Sequence, residues 1–175
     1  MANDNDPHKK KEAQLTHLDE RNQPTMVDVG DKAVTARTAH AQSIVVLPDH
    51  VLQELAVTGG PSPDELYTKK GPVFQTAIIA GTMAVKKTHE LIPFCHPLII
   101  ESCKIYINTN ERREVVIDCV VRVSGKTGVE MEALTGASVA ALTIYDMCKA
   151  LSQDIVVKET LLMGKSGGKT DFKRG

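Results

Sequence analysis

The residues best suited to acid–base chemistry lie in the stretch LTIYDMCKA, residues 142–150, where Asp146 and Lys149 are three positions apart. In a helix, this spacing places the two side chains on neighbouring turns of one face, and such a pair stabilises an isolated helix by only ~0.2–0.5 kcal/mol. Residues 133–144 just upstream carry no charge, so we expect most of the helix to be buried. The pair is therefore either the solvated end of a buried helix or part of a site that transfers protons.

The same helix begins with two further acids, Glu130 and Glu132. At ~100° per residue, with Glu130 at 0°, Glu132 lies at ~200°, Asp146 at ~160° and Lys149 at ~100°, so the last three share a sector of about 100°. The 14 positions between Glu132 and Asp146 nevertheless span ~21 Å of helix. One small site cannot readily hold both residues from a single helix. An extended ligand or a symmetric dimer could join them.

A second candidate is the stretch LIPFCHPL, in which two prolines restrict the backbone around Cys95 and His96. This position between a helix and a strand is suited to presenting a side chain. His96 could instead be structural. A nucleophilic Cys95–His96 pair is a further alternative, although adjacent residues rarely face each other.

Lysines form the third candidate set, in two pairs near the middle of the chain and two single residues near its end: Lys69, Lys70, Lys86, Lys87, Lys165 and Lys169. Each alone could be a solvated surface charge. Together with the helix N-terminus after Gly71-Pro72, they could bind phosphate. The stretch GKSGGKT is not a P-loop, because three residues separate Gly164 from Gly168 where that motif needs four, and no helix can follow.

The overall composition is nearly neutral, so any strongly charged site must be a local cluster of residues. The 175 residues include 21 Lys and Arg against 22 Asp and Glu, with no Trp, which favours neither a nucleic-acid partner nor a membrane. There is no apolar run of ~20 residues and no signal-peptide core. The cysteines show no zinc-like spacing. We expect Cys103 and Cys119 to be reduced core residues and the protein to be cytoplasmic.

The elements that must position these residues follow from periodicity and from turn residues. Residues 1–24 are polar and without periodicity, which predicts a disordered tail, of which residues 1–22 should be dispensable. Residues 25–175 should form a single catalytic domain. The expected order is strand 35–47, helix 49–57 stopped by Gly59–Pro61, helix 73–91, a hairpin of strands 98–108 and 114–124, helix 129–152 and strand 155–163. This order predicts an α+β, ferredoxin-like sandwich, with a mainly antiparallel sheet and helices on one face.

Four stretches make the chain similar to a known family. They are MVDVGDKAVTARTA, KKGPVFQTAIIAGTMAVKKTHELIPFCHPL, GKTGVEMEALTGASVAALTIYDMCKAL and KSGGKTDF. Over about residues 25–173 the sequence resembles the cyclic pyranopterin monophosphate synthases of molybdenum cofactor biosynthesis. It departs from the usual residues only at Phe94, normally a smaller apolar residue, at Gly136, commonly alanine, and at the variable His89.

The resemblance implies a function and a site. The family converts the 3′,8-cyclo-7,8-dihydro derivative of GTP into cyclic pyranopterin monophosphate and releases diphosphate, which makes it a lyase. The stretch YDMCKA then implies Asp146 as a catalytic residue and Lys149 as its acid–base partner. Substrate contacts are implied at Phe94, Cys95 and His96, at Glu130, Met131 and Glu132, and at Lys70, Lys86 and Lys165.

The resemblance also implies an assembly, a hexamer built as a trimer of dimers with active sites between subunits. No resident metal or other cofactor is expected, although Mg²⁺ could accompany the triphosphate. We expect Lys149 to have a pKa lowered by burial and by nearby lysines, so that it can act as both acid and base. The alternative is a non-catalytic, oligomeric protein that binds a nucleotide or pterin phosphate, which would gain nothing from Asp146.

Overall fold

The computed structural model describes residues 21–58 and 64–175. Their strands are β1 (Thr35–Val46), β2 (Tyr67–Thr68), β3 (Gly71–Pro72), β4 (Ser102–Thr109), β5 (Val115–Gly125), β6 (Val156–Ser166) and β7 (Phe172–Lys173). Their helices are α1 (Asp49–Thr58), α2 (Val73–Lys86), α3 (Thr88–Leu91) and α4 (Glu130–Cys148). Residues 1–20 of the expected tail and the expected helix stop at residues 59–61 lie outside the described residues.

The main sheet is antiparallel, with the strand order β4-β5-β1-β6-β7. In β5, alternate residues from Val115 to Val123 are buried, as the period-two pattern predicts. The hairpin of β4 and β5 is confirmed, although β4 begins at Ser102 opposite Arg122, later than expected. The α+β class is confirmed, and the ferredoxin-like arrangement stays a prediction.

Helices α2 and α4 pack against each other and against the sheet, and small residues permit their close approach. A Cβ atom at Gly81 would lie 2.8 Å from the carbonyl oxygen of Gly136, and one at Gly136 would lie 2.8 Å from the Cys119 sulfur. Gly81 also faces Ala140. Because Val85 at the end of α2 lies against Gly136 near the start of α4, the helices are antiparallel, and the end of α2 lies near the beginning of α4.

Several boundaries differ from those expected. The single helix expected over residues 73–91 is divided at Lys87, whose backbone leaves helical geometry with φ −110° and ψ 12°. Helix α4 ends at Cys148, so Lys149 lies at its C-terminal cap. Strand β6 continues to Ser166, three residues beyond the expected end at Met163, because its last residues pair with β1 and β7. The short strands β2, β3 and β7 were not expected.

Candidate functional site

A cavity of about 490 Å³ opens where α4 begins. This volume falls in the range of ordinary small-ligand sites. Its wall contains six of the expected substrate contacts: Phe94, Cys95, His96, Glu130, Met131 and Glu132. The structure thus brings together two stretches, LIPFCHPL and GVEMEAL, that are separated by 29 residues in the chain.

Four cations also line this cavity: Lys32, Arg37, Lys126 and Lys169. Arg37 is held by a 2.9 Å hydrogen bond from its Nε to the carbonyl oxygen of Gly125. The sequence reasoning named none of the first three as site residues, although each lies within a stretch that carries the family resemblance. Apart from that resemblance, nothing in the sequence indicated that these three residues belong to a site, because a charged residue in an extended segment or loop usually faces water.

Glu132 is almost completely buried, with 4% of its surface exposed. Burial raises its pKa, and the nearby charge of Glu130 adds to this effect, while a backbone hydrogen bond opposes it. Burial also raises the pKa of the neighbouring Cys95 thiol, with a further contribution from Glu132. A raised pKa disfavours the thiolate form, which argues against Cys95 as a nucleophile.

Lys165, in β6, is linked to the cavity through Glu130, because its Nζ donates to Glu130 Oε1 at 2.8 Å. Lys165 itself is not among the described residues that line the cavity. The glycine-rich loop that follows is tied to β1, since Thr35 Oγ1 donates to the carbonyl oxygen of Gly167 at 2.7 Å. Lys86, in contrast, is exposed in the last turn of α2, and it is not among the described residues that line the cavity.

A second polar cluster lies at the other end of α4. Lys149 Nζ lies 2.7 Å from Asp146 Oδ1, as the spacing predicts. Lys70 Nζ donates to Asp146 Oδ2 at 3.1 Å and to the Asp146 carbonyl oxygen at 2.8 Å. Lys70 comes from the turn between β2 and β3, so a contact between distant parts of the chain completes a lysine–carboxylate–lysine cluster.

The charges in this cluster stabilise one another. Hydrogen bonding to Lys149 and then to Lys70 lowers the pKa of Asp146, and hydrogen bonding to Asp146 raises the pKa of Lys149. The expectation that burial lowers the pKa of Lys149 is therefore wrong for the single chain. The physical reason is exposure, since 54% of the Lys149 side chain and 56% of the Asp146 side chain face solvent.

The N-terminus of α2 is not open to a phosphate group, contrary to the expectation for the Gly71-Pro72 helix start. The carboxylate of Glu65 already accepts hydrogen bonds from the backbone amides of Phe74 at 2.7 Å and Gln75 at 2.9 Å. An anion there would have to displace this carboxylate.

Within residues 21–58 and 64–175, no group of three or more His, Cys, Asp and Glu side chains could hold a metal ion. No helix in these ranges is both long enough and apolar enough to cross a membrane. The two polar clusters remain separate in one chain, because Glu132 and Asp146 lie ~21 Å apart along α4.

An α+β domain with a cation-lined cavity and a separate carboxylate–lysine cluster has the features of an enzyme for a small anionic substrate. The family model that matches residues 26–168 is that of the MoaC family. The chain belongs to the MoaC family.

Relatives agree with this assignment. The cyclic pyranopterin monophosphate synthase of Xanthomonas axonopodis pv. citri is 56% identical over 166 residues, which cover 95% of this chain and 97% of the relative. The synthase of Helicobacter hepaticus is 46% identical over 163 residues, 92% of this chain and 98% of the relative. Molybdenum cofactor biosynthesis protein 1 of Dictyostelium discoideum is 58% identical over 157 residues, 84% of this chain but only 25% of that longer protein.

Proposed function

We propose that this protein is a lyase of molybdenum cofactor biosynthesis. It converts (8S)-3′,8-cyclo-7,8-dihydroguanosine 5′-triphosphate into cyclic pyranopterin monophosphate and diphosphate. The observation that carries the proposal is the match, over 95% of the chain and 97% of the relative, to a protein named for this product. The cation-lined cavity and the Asp146 cluster supply the two kinds of group that the reaction needs.

Rebuilding the purine five-membered ring as a pterin requires several proton transfers. Asp146 raises the pKa of Lys149 in the single chain, so Lys149 is protonated and holds the proton that a general acid must supply. Asp146, with its pKa lowered, is a carboxylate that orients Lys149 and stabilises its charge. A general acid of this kind typically contributes ~10²–10⁴-fold to the rate.

The leaving diphosphate carries several negative charges that must be stabilised as the cyclic phosphate closes. Arg37, Lys126 and Lys169 line one cavity and are suited to this task. Cations placed where charge develops are among the largest contributors to catalysis. We assign the triphosphate to this end of α4, with Glu132 and His96 close to the substrate.

A complete site then requires both ends of α4. We propose that two chains related by a two-fold axis bring the cavity of one subunit to the Asp146 cluster of its partner, within a hexamer built as a trimer of dimers. This arrangement resolves the ~21 Å separation along one helix. It would also cover Lys149, and burial opposes the increase in pKa that the hydrogen bond to Asp146 causes.

Two further parts of the proposal concern the surroundings of the reaction. Mg²⁺ would accompany the substrate triphosphate, since this ion is commonly held by phosphates and a few carboxylates. A cytoplasmic location agrees with four free cysteines at positions 95, 103, 119 and 148.

The direct experiment is incubation of the purified protein with the cyclic GTP derivative, followed by measurement of diphosphate and of the pterin product. The proposal predicts equimolar formation of both products. Tight binding of the substrate without diphosphate release would indicate the non-catalytic alternative.

A further inference from the structure

The N-terminus of α2 has an unusual cap. The residue at the capping position is Pro72, which offers no side-chain acceptor to the first amides of the helix. The hydrogen-bond acceptors for these amides come from residues 65 and 66, several positions before the helix. Val73 N donates to the Leu66 carbonyl oxygen at 2.8 Å, and Glu65 accepts from the next two amides. A carboxylate is also favoured at this end of a helix by the helix dipole.

The segment between Glu65 and α2 forms a closed loop, because the Glu65 carboxylate is hydrogen-bonded to the beginning of the helix. The chain leaves Glu65, forms the paired strands β2 and β3, with Thr68 opposite Gly71, and returns to the same helix end. The turn is fixed further by a 3.1 Å hydrogen bond from Lys70 N to Thr68 Oγ1 and by Gly71, whose φ of +114° suits glycine. The backbone of Lys70 is thereby held in one place.

The side chain of Lys70 connects this loop to the Asp146 cluster. Its ammonium group bridges the carbonyl oxygen and Oδ2 of Asp146, and Lys149 takes Oδ1. Lys70 therefore fixes the orientation of the carboxylate that in turn orients Lys149. A lysine on a mobile loop would also lose backbone entropy on making this contact, whereas the backbone of Lys70 is already fixed by the turn.

We propose that Glu65 is a positioning residue for catalysis: by capping α2 it fixes the β2–β3 turn and so holds Lys70 against Asp146. This inference rests on the proposed function for its effect on turnover. Its structural part, the dependence of the Lys70–Asp146 contact on Glu65, can be measured without substrate.

The kinetic test is a double-mutant cycle with Glu65→Ala and Lys70→Ala. If Glu65 acts through Lys70, each single variant lowers kcat by about 10- to 100-fold, as expected for misplaced catalytic groups, and the double variant is no slower than Lys70→Ala alone. If the loss of kcat in the double variant equals the product of the losses in the two single variants, the two residues act independently and the proposal is overturned. Should Glu65→Ala fail to fold, Glu65→Gln, which keeps one carbonyl acceptor, takes its place in the same cycle.

The substrate-free test is titration of the Asp146 carboxyl group by carbon NMR. Because Lys70 helps to lower the pKa of Asp146, both Glu65→Ala and Lys70→Ala should raise it. An unchanged Asp146 titration in folded Glu65→Ala overturns the inference even if the enzyme is active. If the pKa of Asp146 rises in both variants but the wild-type protein has no lyase activity, the positioning role of Glu65 stands and the proposed function is rejected.

The matched control is Glu114→Ala. Glu114 also joins separate parts of the chain through its carboxylate, which accepts from Asn110 and Lys158 at the β4–β5 turn. It contacts neither Lys70 nor Asp146. Its loss should change kcat by less than about two-fold in both the wild-type and the Lys70→Ala backgrounds, because sites without shared partners act independently.

Discussion

At the scale of single residues, the proposed catalysis depends most on Asp146 and Lys149. We predict that Asp146→Asn and Lys149→Ala each lower kcat by at least ~10²-fold, because one removes the charge that orients the lysine and the other removes the proton donor. Steady-state diphosphate release measures the effect, and thermal melting and size-exclusion chromatography check folding and assembly.

Lys158→Ala is the matched control for these variants, since it removes another exposed lysine from an ion pair, with Glu114 at 2.9 Å. It should retain nearly full activity. Near-normal turnover in folded Asp146→Asn or Lys149→Ala would show that the assigned role is wrong.

Glu132 gives a prediction about stability. Its pKa in the folded state is raised above the ordinary value of 4.5, so the folded protein binds the proton more tightly than the unfolded chain. This contribution to the free energy of unfolding is full below pH 4.5 and is lost as the pH rises through the folded pKa, with ~1.4 kcal/mol for each unit of pKa shift. Glu132→Gln should therefore be more stable than the wild type at neutral pH.

The measurement is urea unfolding of both proteins at intervals from pH 5 to pH 8. The stability advantage of Glu132→Gln should grow with pH over this window and then level off. A constant difference between the two proteins would mean that Glu132 does not titrate differently on folding.

The sequence could identify Asp146, Lys149 and the two stretches around the cavity, because their residue types and the family resemblance converge there. It could not predict the contact of Lys70 with Asp146, which joins residues 76 positions apart. Nor could it predict the sign of the Lys149 pKa shift. That sign depends on exposure at the end of α4, and a pattern of charges does not reveal exposure.

At the scale of elements, the loop between β6 and β7 should be sensitive to one added methyl group. Gly167 has a φ of +81°, and a Cβ atom there would overlap the carbonyl oxygen of Ala36. The positive φ and the overlap both disfavour alanine at this position, and together they should lower the stability by about 1–3 kcal/mol. Gly167→Ala should displace the loop that carries Lys169 into the cavity, and we expect KM to rise about 10-fold.

Gly168→Ala is the adjacent control. A Cβ atom there would meet only the tip of the flexible Arg37 side chain, at 3.3 Å. Thermal melting and KM should change much less than for Gly167→Ala. Equal effects of the two substitutions would mean that backbone geometry at Gly167 does not position the loop.

Elements with strong periodicity were predictable, such as β1, the β4–β5 hairpin and α4. The β2–β3 pair was not, because each strand has two residues and its position depends on Glu65, seven residues before the helix cap. The division of the long helix at Lys87 was missed for a similar reason. The Thr88 hydroxyl donates to the carbonyl oxygens of Ala84 and Val85, a local competition that hydrophobic periodicity does not show.

At the scale of the whole molecule, α4 separates two half-sites. Its first turn forms the wall of the cavity with Glu132, and its C-terminal end carries Asp146 and Lys149. We propose that the lyase combines the first half-site of one subunit with the second half-site of its partner. This arrangement predicts a pattern of activity that a site within one chain cannot produce.

The decisive measurement is diphosphate release after Glu132→Gln and Lys149→Ala chains are mixed within dimers. Each variant alone should be inactive, provided that the Glu132 carboxylate is essential for turnover. In a mixed dimer one pocket carries both defects and the other neither, because a two-fold interface uses each surface twice. Random mixing makes half of the dimers mixed, so about a quarter of all pockets should be intact and activity should recover to about that fraction. Activity that stays at the background of the separate variants, with subunit exchange verified by mass spectrometry, would contradict the shared site.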